Sequence, residues 1–349
     1  MKDSFSDDTP DHRILAVTEY ISEKMKGQKV ILVTKDMNLR MKARSLGLQA
    51  EDYKTDQVED LDFAINRSVR EIEGIDTEVI NRIYENANGV EVEQVFPKQE
   101  LKGNNYYVLK NGNASVLACY DPVRRVIRKV EKPNVFGIYP KNAEQAFAVD
   151  ALLNPNIQLV AISGKAGTGK TLLALASALQ QNKQYEFIYL ARPIVALSSK
   201  DLGFLPGDVN EKVDPYMQPL YDNLGFIKRR FNIHGAKNRL IEEMQKEQKL
   251  MISALAYIRG RSLSDVYFIV DEAQNLTPHE VKTIITRAGE GTKMVFTGDI
   301  DQIDSPYLDK KSNGLSHLFD KMQGQDIFAH VHLEKGERSK LADLASDLL

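Results

Sequence analysis

The sequence predicts an α/β fold with a parallel sheet, and three observations support this prediction. Apolar stretches at 159–162, 266–270 and 294–296 each have the length of a buried strand, and each leads directly into a polar motif. A further apolar run at 172–176 follows the first motif and is typical of a buried helix. Because ligands of parallel α/β sheets bind at the carboxyl ends of the strands, we expect the three motifs to meet at one edge of the sheet.

The first motif, residues 164–171, reads Gly-Lys-Ala-Gly-Thr-Gly-Lys-Thr and fits the pattern G-x-x-x-x-G-K-[ST] between a strand and a helix. Its glycines allow successive backbone N–H groups to point at a phosphate chain, and the helix N-terminus adds positive potential there. In such a loop Lys170 reaches the β- and γ-phosphates, and the Thr171 hydroxyl ligates Mg²⁺. The alternative, a glycine-rich turn without a ligand, would require every fixed position to agree by chance.

Two residues upstream of this loop are candidates for contact with the nucleobase. Tyr139 can stack on adenine, and the Gln145 amide can pair with its hydrogen-bonding edge. The alternative for Gln145 is an exposed position on a capped helix. Together with the loop, these residues predict ATP and Mg²⁺ as cofactors, with nucleotide contacts from Gly164, Lys165, Ala166, Gly167, Thr168, Gly169, Lys170 and Thr171.

The other two motifs and the end of the chain supply candidates for hydrolysis. Asp271 follows the second strand and can hold Mg²⁺ through water, while Glu272 can accept a proton from the attacking water. Gln302, after the third strand, could position that water or sense the γ-phosphate. Arg338 follows a last predicted strand and could stabilise γ-phosphate charge, with a surface salt bridge as an equally weighted alternative.

Composition limits the other functional classes. The chain has 349 residues and a net charge of −3, so any nucleic-acid surface has to be a local patch. The single cysteine, Cys119, excludes an intrachain disulfide and fits a reducing compartment. No apolar run is long enough to span a bilayer, and residues 1–8 are polar and acidic rather than a targeting signal. We therefore expect a cytoplasmic protein without a membrane anchor.

The first part of the chain, 1–55, predicts an αβα fragment, and helical spacing of apolar residues predicts a connector of two short helices at 56–88. Asp11 at a helix start and Asp36 at a strand tip are most simply read as capping or turn residues. Residues 197–218, rich in Gly, Pro and Ser, predict a long loop.

Residues 89–133 predict a small β-rich module, either a barrel or an open sheet. Alternation begins at 90–95, and Asn111-Gly112 marks a hairpin. The module could be a single-strand nucleic-acid platform or, more commonly, a half-buried sheet with a solvated basic edge. The residues behind the first alternative are Arg124, Arg125, Arg128, Lys129 and Lys132 with Tyr106, Tyr107 and Tyr120.

From 134 to 349 the chain resembles the PhoH-like ATPases, relatives of the superfamily 1 helicases. The resemblance rests on Tyr139-Pro140 with Gln145, the loop 164–171, the stretch 259–263, the motif 271–275, and Gly298-Asp299 with Gln302. It implies a RecA-like P-loop NTPase domain and an ATP-driven RNA helicase. It also implies single-stranded RNA as a partner and a ring-shaped homo-oligomer such as a hexamer.

Residues 1–55 resemble the second half of a PIN nuclease domain, through the pieces 10–15 and 33–39. In that family these pieces carry acidic metal ligands, which here would be Asp11 and Asp36. The family's first-strand aspartate has no counterpart, and two carboxylates make a poor Mg²⁺ site for phosphodiester cleavage. Ribonuclease activity of this chain is therefore doubtful, and the fragment is read either as a truncated form of a PIN domain or as a remnant retained for packing.

Three functions stay open at this point: the RNA-directed motor, a metal-dependent ribonuclease regulated by ATP, and a nucleotide-binding switch with little turnover. Ordinary superfamily 1 motors close a second RecA-like domain over ATP, and the resemblance of this chain includes only one such domain. This favours a site completed across subunits, with Arg338 acting in trans.

Overall fold

The computed structural model of the chain divides into two units, residues 1–57 and 58–349. The structure describes residues 9–25, 27–53, 58, 69–97, 99, 101–195, 209–258, 263–305 and 307–337.

The first unit contains the predicted αβα fragment. Its two strands are parallel, with Leu32 opposite Ala50. The core beneath them is small and consists of Leu15, Leu39, Ala43 and Ala50. The elements are α1 (Pro10–Lys24), β1 (Ile31–Val33), α2 (Met37–Ser45) and β2 (Gln49–Glu51).

The second unit is built on a six-stranded sheet in which every neighbouring pair is parallel, which confirms the predicted α/β fold class. The three strands that precede the motifs lie at adjoining positions, so their carboxyl ends share one edge. In spatial order the strands are β10 (Leu250–Ala254), β9 (Phe187–Arg192), β11 (Val266–Val270), β12 (Lys293–Gly298), β8 (Leu159–Gly164) and β13 (Phe328–Leu333).

Helices cover both faces of this sheet through two buried apolar clusters, which explains why its strands are apolar along their whole length. The longer helices are α5 (Ala143–Leu153), α6 (Lys170–Gln180), α7 (Val209–Lys228), α8 (Ala236–Lys246), α9 (Pro278–Ile285) and α10 (Gly314–Met322).

The predicted loop at 197–218 is wrong for its second half, since α7 begins at Val209 and contains Pro215 and Pro219. The apolar residues Met217, Leu220, Leu224 and Ile227 recur at helical spacing and are buried. Burial of that face outweighs the helix-breaking tendency of the two prolines. Residues 196–208 lie outside the described residues.

Residues 69–130 form an open five-stranded sheet in the order β3-β5-β6-β7-β4. The Asn111-Gly112 turn joins β5 to β6 as predicted, with Gly112 at φ +55°. The elements are β3 (Val69–Glu73), α3 (Thr77–Glu85), β4 (Val90–Glu91), α4 (Val92–Val95), β5 (Tyr106–Asn111), β6 (Ala114–Asp121) and β7 (Val126–Lys129).

Two local predictions in this region are wrong. Val69 and Ile72 lie on β3, which pairs in parallel with β5, rather than on a connector helix. Val92 and Val95 lie on a short helix rather than a strand, because they and Phe96 bury one face at helical spacing. The four-part division of the chain proposed from the sequence stays a prediction.

The five-stranded sheet packs against α5, the helix that precedes the loop 164–171. The Tyr106 ring stacks on Phe147 with centroids 5.0 Å apart. The Arg128 guanidinium donates to both oxygens of Asp150 at 2.7 and 2.6 Å, and the Tyr106 hydroxyl donates to Asp150 at 3.0 Å. A shared core and a charged clamp therefore join this sheet to the six-stranded sheet and its helices.

Candidate functional site

The loop between β8 and α6 depends on glycine for its shape. Gly164 has φ +145°, and a Cβ there would lie 2.2 Å from the carbonyl oxygen of Leu333 on the neighbouring strand. Gly169 has φ +92° and directly precedes α6, so the left-handed backbone turn ends at the helix N-terminus. This places the loop where amide N–H groups and the helix dipole can act on a phosphate.

Lys170 lies over the loop that precedes it. Its ammonium group donates to the carbonyl oxygens of Gly164 at 2.6 Å and Lys165 at 2.8 Å. These partners are neutral, and phosphate oxygens would make stronger, charge-assisted hydrogen bonds with the same donor. The lysine is thus held at the loop by contacts that an anionic ligand can replace.

Thr171 and Asp271 come together at the sheet edge, as the motifs predict. The Thr171 hydroxyl donates to Asp271 Oδ1 at 2.7 Å, and the Thr297 hydroxyl of β12 donates to the same oxygen at 2.6 Å. Mg²⁺ at such sites binds one or two protein oxygens together with substrate phosphates. The adjacent hydroxyl and carboxylate of Thr171 and Asp271 fit that ion.

Glu272 follows Asp271 in a left-handed backbone conformation, with φ +53°. One carboxylate oxygen accepts from Arg192 of β9 at 2.8 Å and the other accepts from Gln274 at 2.6 Å. Burial raises the pKa of Glu272, and the charge of Asp271 raises it further, whereas Gln274, Arg192 and Lys170 lower it. The outcome is a carboxylate that is a stronger base than a solvated glutamate.

Gln274 connects the second and third motifs. Its fully buried amide donates to the backbone carbonyl of Gln302 at 2.8 Å and accepts from the Asp299 N–H at 3.1 Å. Gln274, which also bonds to Glu272, therefore contacts the backbone of Gln302, while the Gln302 side chain is exposed. A role for that side chain in positioning water stays a prediction.

Beside the loop lies a cleft of about 360 Å³, lined by Tyr139, Gln145, Gly167, Leu172, Phe226 and Arg230 among others. Tyr139 is 63% exposed, which leaves its ring free to stack. Gln145 is buried, so its predicted alternative as an exposed residue is wrong. Its amide donates to the Thr168 carbonyl at 3.0 Å and accepts from the Lys141 N–H at 2.9 Å. It thereby connects the cleft to the loop.

The segment after β13 also reaches this loop. The Glu337 N–H donates to the Gly167 carbonyl at 3.3 Å, and its carboxylate accepts from Asn142 at 3.1 Å. Lys141 pairs with the same carboxylate at 3.4 Å. The candidate Arg338 lies outside the described residues.

A buried serine precedes the loop on β8. The Ser163 hydroxyl lies 2.8 Å from His330 Nε2 and 2.8 Å from His332 Nδ1, both on β13. Burial lowers the pKa of His332, Glu334 opposes that change, and Lys170 adds to it. This cluster fixes the last strand against the start of the loop.

Sequence reasoning missed Arg192 and Thr297, and assigned no role to Gln274. The signal for Gln274 was its place in the motif 271–275. For Arg192 and Thr297 the only signal was a position at the end of a predicted strand, which many polar residues share.

The two acidic residues of the first unit have structural partners. Asp36 caps α2 by accepting from the Leu39 N–H at 3.0 Å, and Asp11 pairs with Lys42 at 3.4 Å. Across the described ranges no group of three or more His, Cys, Asp or Glu side chains could hold a metal ion.

The stacking platform suggested by the composition of 106–132 is not formed by Tyr106 and Tyr107. Tyr106 and Tyr107 are 0% and 1% exposed, so their rings cannot stack on bases. Arg128 is paired with Asp150, and Lys129 with Glu131. For these four residues the half-buried sheet with a basic edge is the better description, whereas Tyr120 is only half-buried and stays a candidate for contact with a ligand.

Comparison with protein families identifies the family to which a chain with this site belongs. A family model described as PhoH-like protein matches residues 137–347, which contain the loop, both acids and the last strand. The chain belongs to the PhoH-like protein family. A second model, described as PIN domain, matches residues 1–54.

Similar proteins in this family extend over nearly the whole chain. Protein PhoH2 of Bacillus subtilis (strain 168) is 42% identical over 363 residues, covering 100% of this chain and 80% of the relative. Protein PhoH2 of Thermobispora bispora is 33% identical and covers 97% of this chain and 74% of the relative. Together with the loop and the parallel sheet, family membership makes this domain a P-loop NTPase domain.

Among solved structures, the Pif1 helicase from Candida albicans matches with a TM-score of 0.33 and 16% identity, over 59% of this chain and 42% of that one. A likeness of this size carries no functional argument. Within the described part of the PhoH-like chain, no helix is both long and apolar enough to cross a membrane.

Proposed function

We propose that this PhoH-like chain is an ATP-hydrolysing motor that acts on single-stranded RNA as a ring-forming homo-oligomer. The observation that carries the proposal is the edge formed by Lys170, Thr171, Asp271 and Glu272. There a phosphate-binding lysine and a hydroxyl at the start of α6, which follows β8, lie at the same sheet edge as a carboxylate and a base of raised pKa, which follow β11.

Each group has a task that follows from its position. The loop amides and Lys170 would hold the β- and γ-phosphates, and Tyr139 and Gln145 would face the adenine. Thr171 and Asp271 would hold Mg²⁺, which when bound supplies charge neutralisation on the phosphates. Glu272, oriented by Arg192 and Gln274, would accept the proton of the attacking water.

Replacement of the loop lysine and of the base tests the hydrolytic part. We expect Lys170→Ala and Glu272→Gln each to reduce ATP turnover by about 10²-fold or more, because each removes charge or proton acceptance from the transition state. Glu272→Gln should still bind ATP. Exposed Lys183→Ala and Glu290→Gln are matched controls that should retain wild-type turnover. Full activity in Glu272→Gln would contradict the assignment of the base.

RNA dependence is a separate test, because RNA action comes from the resemblance to helicases rather than from the loop. Single-stranded RNA should raise the steady-state ATPase rate of the purified oligomer. If the enzyme hydrolyses ATP but RNA does not stimulate it, the ATPase part of the proposal stands and the RNA-directed part is contradicted.

The trans role of Arg338 can be tested by mixing two inactive variants. Glu272→Gln and Arg338→Ala subunits should regain turnover when co-assembled, since some interfaces then combine an intact base with an intact arginine. Recovery should be absent if Arg338 acts within its own subunit. Light scattering of the same samples reports the size of the oligomer.

We do not propose ribonuclease activity for this chain. Asp36 is occupied as a helix cap and Asp11 pairs with Lys42, and the two carboxylates do not amount to the ligand set that phosphodiester cleavage requires.

A further inference from the structure

A second cleft lies on the five-stranded sheet, away from the phosphate-binding loop. Its volume is about 600 Å³, and residues from the turn that precedes β13 complete it. Side chains that bear on its chemistry are Arg70, Lys102, Tyr107, Tyr120, Arg125 and Asp326. No residue of the nucleotide site lines it, so it is a distinct place on the molecule.

The most unusual group in this cleft is the Tyr107 hydroxyl. Tyr107 is 1% exposed, yet its hydroxyl oxygen has no hydrogen-bond partner in the part of the chain that the structure describes. Buried polar groups are almost always paired, so an orphan hydroxyl on a cleft wall indicates a missing partner. Burial raises the pKa of Tyr107 to about 12, so the hydroxyl is a donor at neutral pH. The Asn105 side chain lies near enough to lower that pKa, but it makes no hydrogen bond of ordinary distance and angle with the hydroxyl.

The charges around this donor favour an anionic partner. The cleft holds three cations against one acid, Asp326. Arg70 lies on β3 opposite Tyr107 and makes no ion pair with any described residue. Arg125 pairs with Glu93 at 2.7 Å, but both side chains are more than half exposed, so this pair is easily exchanged. An arginine beside a phenol donor suits phosphate oxygens.

We propose that this cleft binds a phosphate group, carried either by an RNA strand or by a free nucleotide, through Arg70 and the Tyr107 hydroxyl. The RNA form rests on the proposed function, whereas the free-nucleotide form does not. Tyr120 and Arg125 lie at the same cleft and would contact the remainder of the ligand.

Direct binding to the full-length chain tests the proposal. Arg70→Gln removes the unpaired cation, and Tyr107→Phe removes only the hydroxyl. Lys110→Gln is the matched control, because Lys110 lies on the same strand as Tyr107 but is bonded to Glu71 outside the cleft. One probe is a fluorescent 12-nucleotide single-stranded RNA. The other is AMP, titrated in a Lys170→Ala background that weakens the loop site.

We expect Arg70→Gln and Tyr107→Phe to weaken binding of one probe by about tenfold, since each loses a hydrogen bond to a charged group. Lys110→Gln should match wild type. An effect on RNA alone identifies a strand as the source of the phosphate, and an effect on AMP alone identifies a free nucleotide. Equal binding by all variants, or no binding of either probe by wild type, would overturn the proposal.

Thermal unfolding separates a ligand role from a structural one. Tyr107→Phe should unfold at the wild-type temperature or higher, because it removes a desolvated hydroxyl without a partner. A clear loss of stability would show that the hydroxyl has a partner within the protein, and would also overturn the proposal. Failure of the proposed motor would appear separately, as absent ATP turnover in a wild-type protein that still binds its probe at the cleft.

Discussion

The two sheets of the second unit hold their polar side chains in different ways. At the carboxyl edge of the six-stranded sheet, Lys170 bonds to neutral carbonyls and Asp271 accepts from two hydroxyls. Where the five-stranded sheet meets α5, Asp150 is bound by a bidentate arginine and a tyrosine. The first set can be exchanged for a ligand at little cost, whereas the second cannot be broken without leaving a charge behind.

This difference separates chemistry from stability within one unit. The exchangeable contacts lie at the nucleotide edge, and the charged clamp lies at the junction between the sheets. Replacements of the polar side chains on the two sides should therefore be distinguishable by whether they change turnover or unfolding, whereas a backbone change such as Gly164→Ala should affect both. Four predictions test that separation, beginning with the largest effect.

Gly164→Ala should be the most damaging change, because it places a Cβ against the Leu333 carbonyl and forces alanine into φ +145°. Strain and overpacking together should lower the free energy of unfolding by about 2–5 kcal/mol and remove ATP binding. Gly112→Ala is the control, since its φ is also positive but nothing lies within 4 Å. Urea unfolding measures the free energy of unfolding of the two variants. Equal losses in Gly164→Ala and Gly112→Ala would show that the contact with Leu333 is unimportant.

Arg128→Met should destabilise the junction by about 2–4 kcal/mol, because it leaves the Asp150 charge largely buried without its partner. Arg125→Met removes an ion pair of similar length whose side chains are 72% and 62% exposed, and should change stability by less than about 1 kcal/mol. Chemical denaturation of the two variants gives the comparison. A similar small effect in both would mean that the clamp is not a stability element.

Lys293, which contacts the end of α5 on the junction side of the comparison, offers a pH-dependent test of stability. It is 1% exposed, and its amine donates to the carbonyls of Ala151 at 2.9 Å and Asn154 at 2.7 Å, at the end of α5. Burial lowers the pKa of Lys293 from 10.5 to about 7, so between those values the unfolded chain binds more protons than the folded one. Stability from this residue should therefore rise with pH across that window.

The measurement is the urea midpoint of wild type and Lys293→Met at pH 7 and at pH 9.5. Groups common to both proteins cancel, so the difference should shift in favour of wild type at the higher pH. A constant difference would mean that Lys293 keeps its proton in the folded state.

Arg192→Met should have the smallest effect and should act mainly on turnover, because Glu272 keeps its hydrogen bond from Gln274 and is more exposed than Asp150. Arg192 lowers the pKa of Glu272, so its removal should raise that pKa and move the acid limb of the kcat profile to higher pH. We expect turnover to fall by a few-fold near pH 6 and to approach wild type at alkaline pH. Exposed Arg239→Met is the control. A loss that is independent of pH would indicate a different role for Arg192.

The parts predictable from sequence were those encoded by fixed spacing along the chain. The loop 164–171 and the acids after 266–270 each combine a strand with adjacent functional residues, so local order alone determines their geometry. The parallel sheet followed from the same apolar runs. These features need no knowledge of which strands become neighbours.

What sequence could not provide depends on packing between distant segments. Arg192 reaches Glu272 only because β9 lies beside β11, and strand order is not written in either segment. Tyr106 and Tyr107 both became buried because each face of β5 is covered, a fact that composition does not reveal. The helix at 209–228 was concealed by prolines whose effect burial of the opposite face overcomes.

The backbone hydrogen bond from Glu337 to Gly167 couples the segment after β13 to the conformation of the loop. Asn142 and Lys141 bind the carboxylate of the same residue, so Glu337 is held at both its backbone and its side chain. A force applied to the backbone at residue 337 would therefore act directly on the loop. Conversely, a change in the conformation of Gly167 would shift Glu337 through the same hydrogen bond.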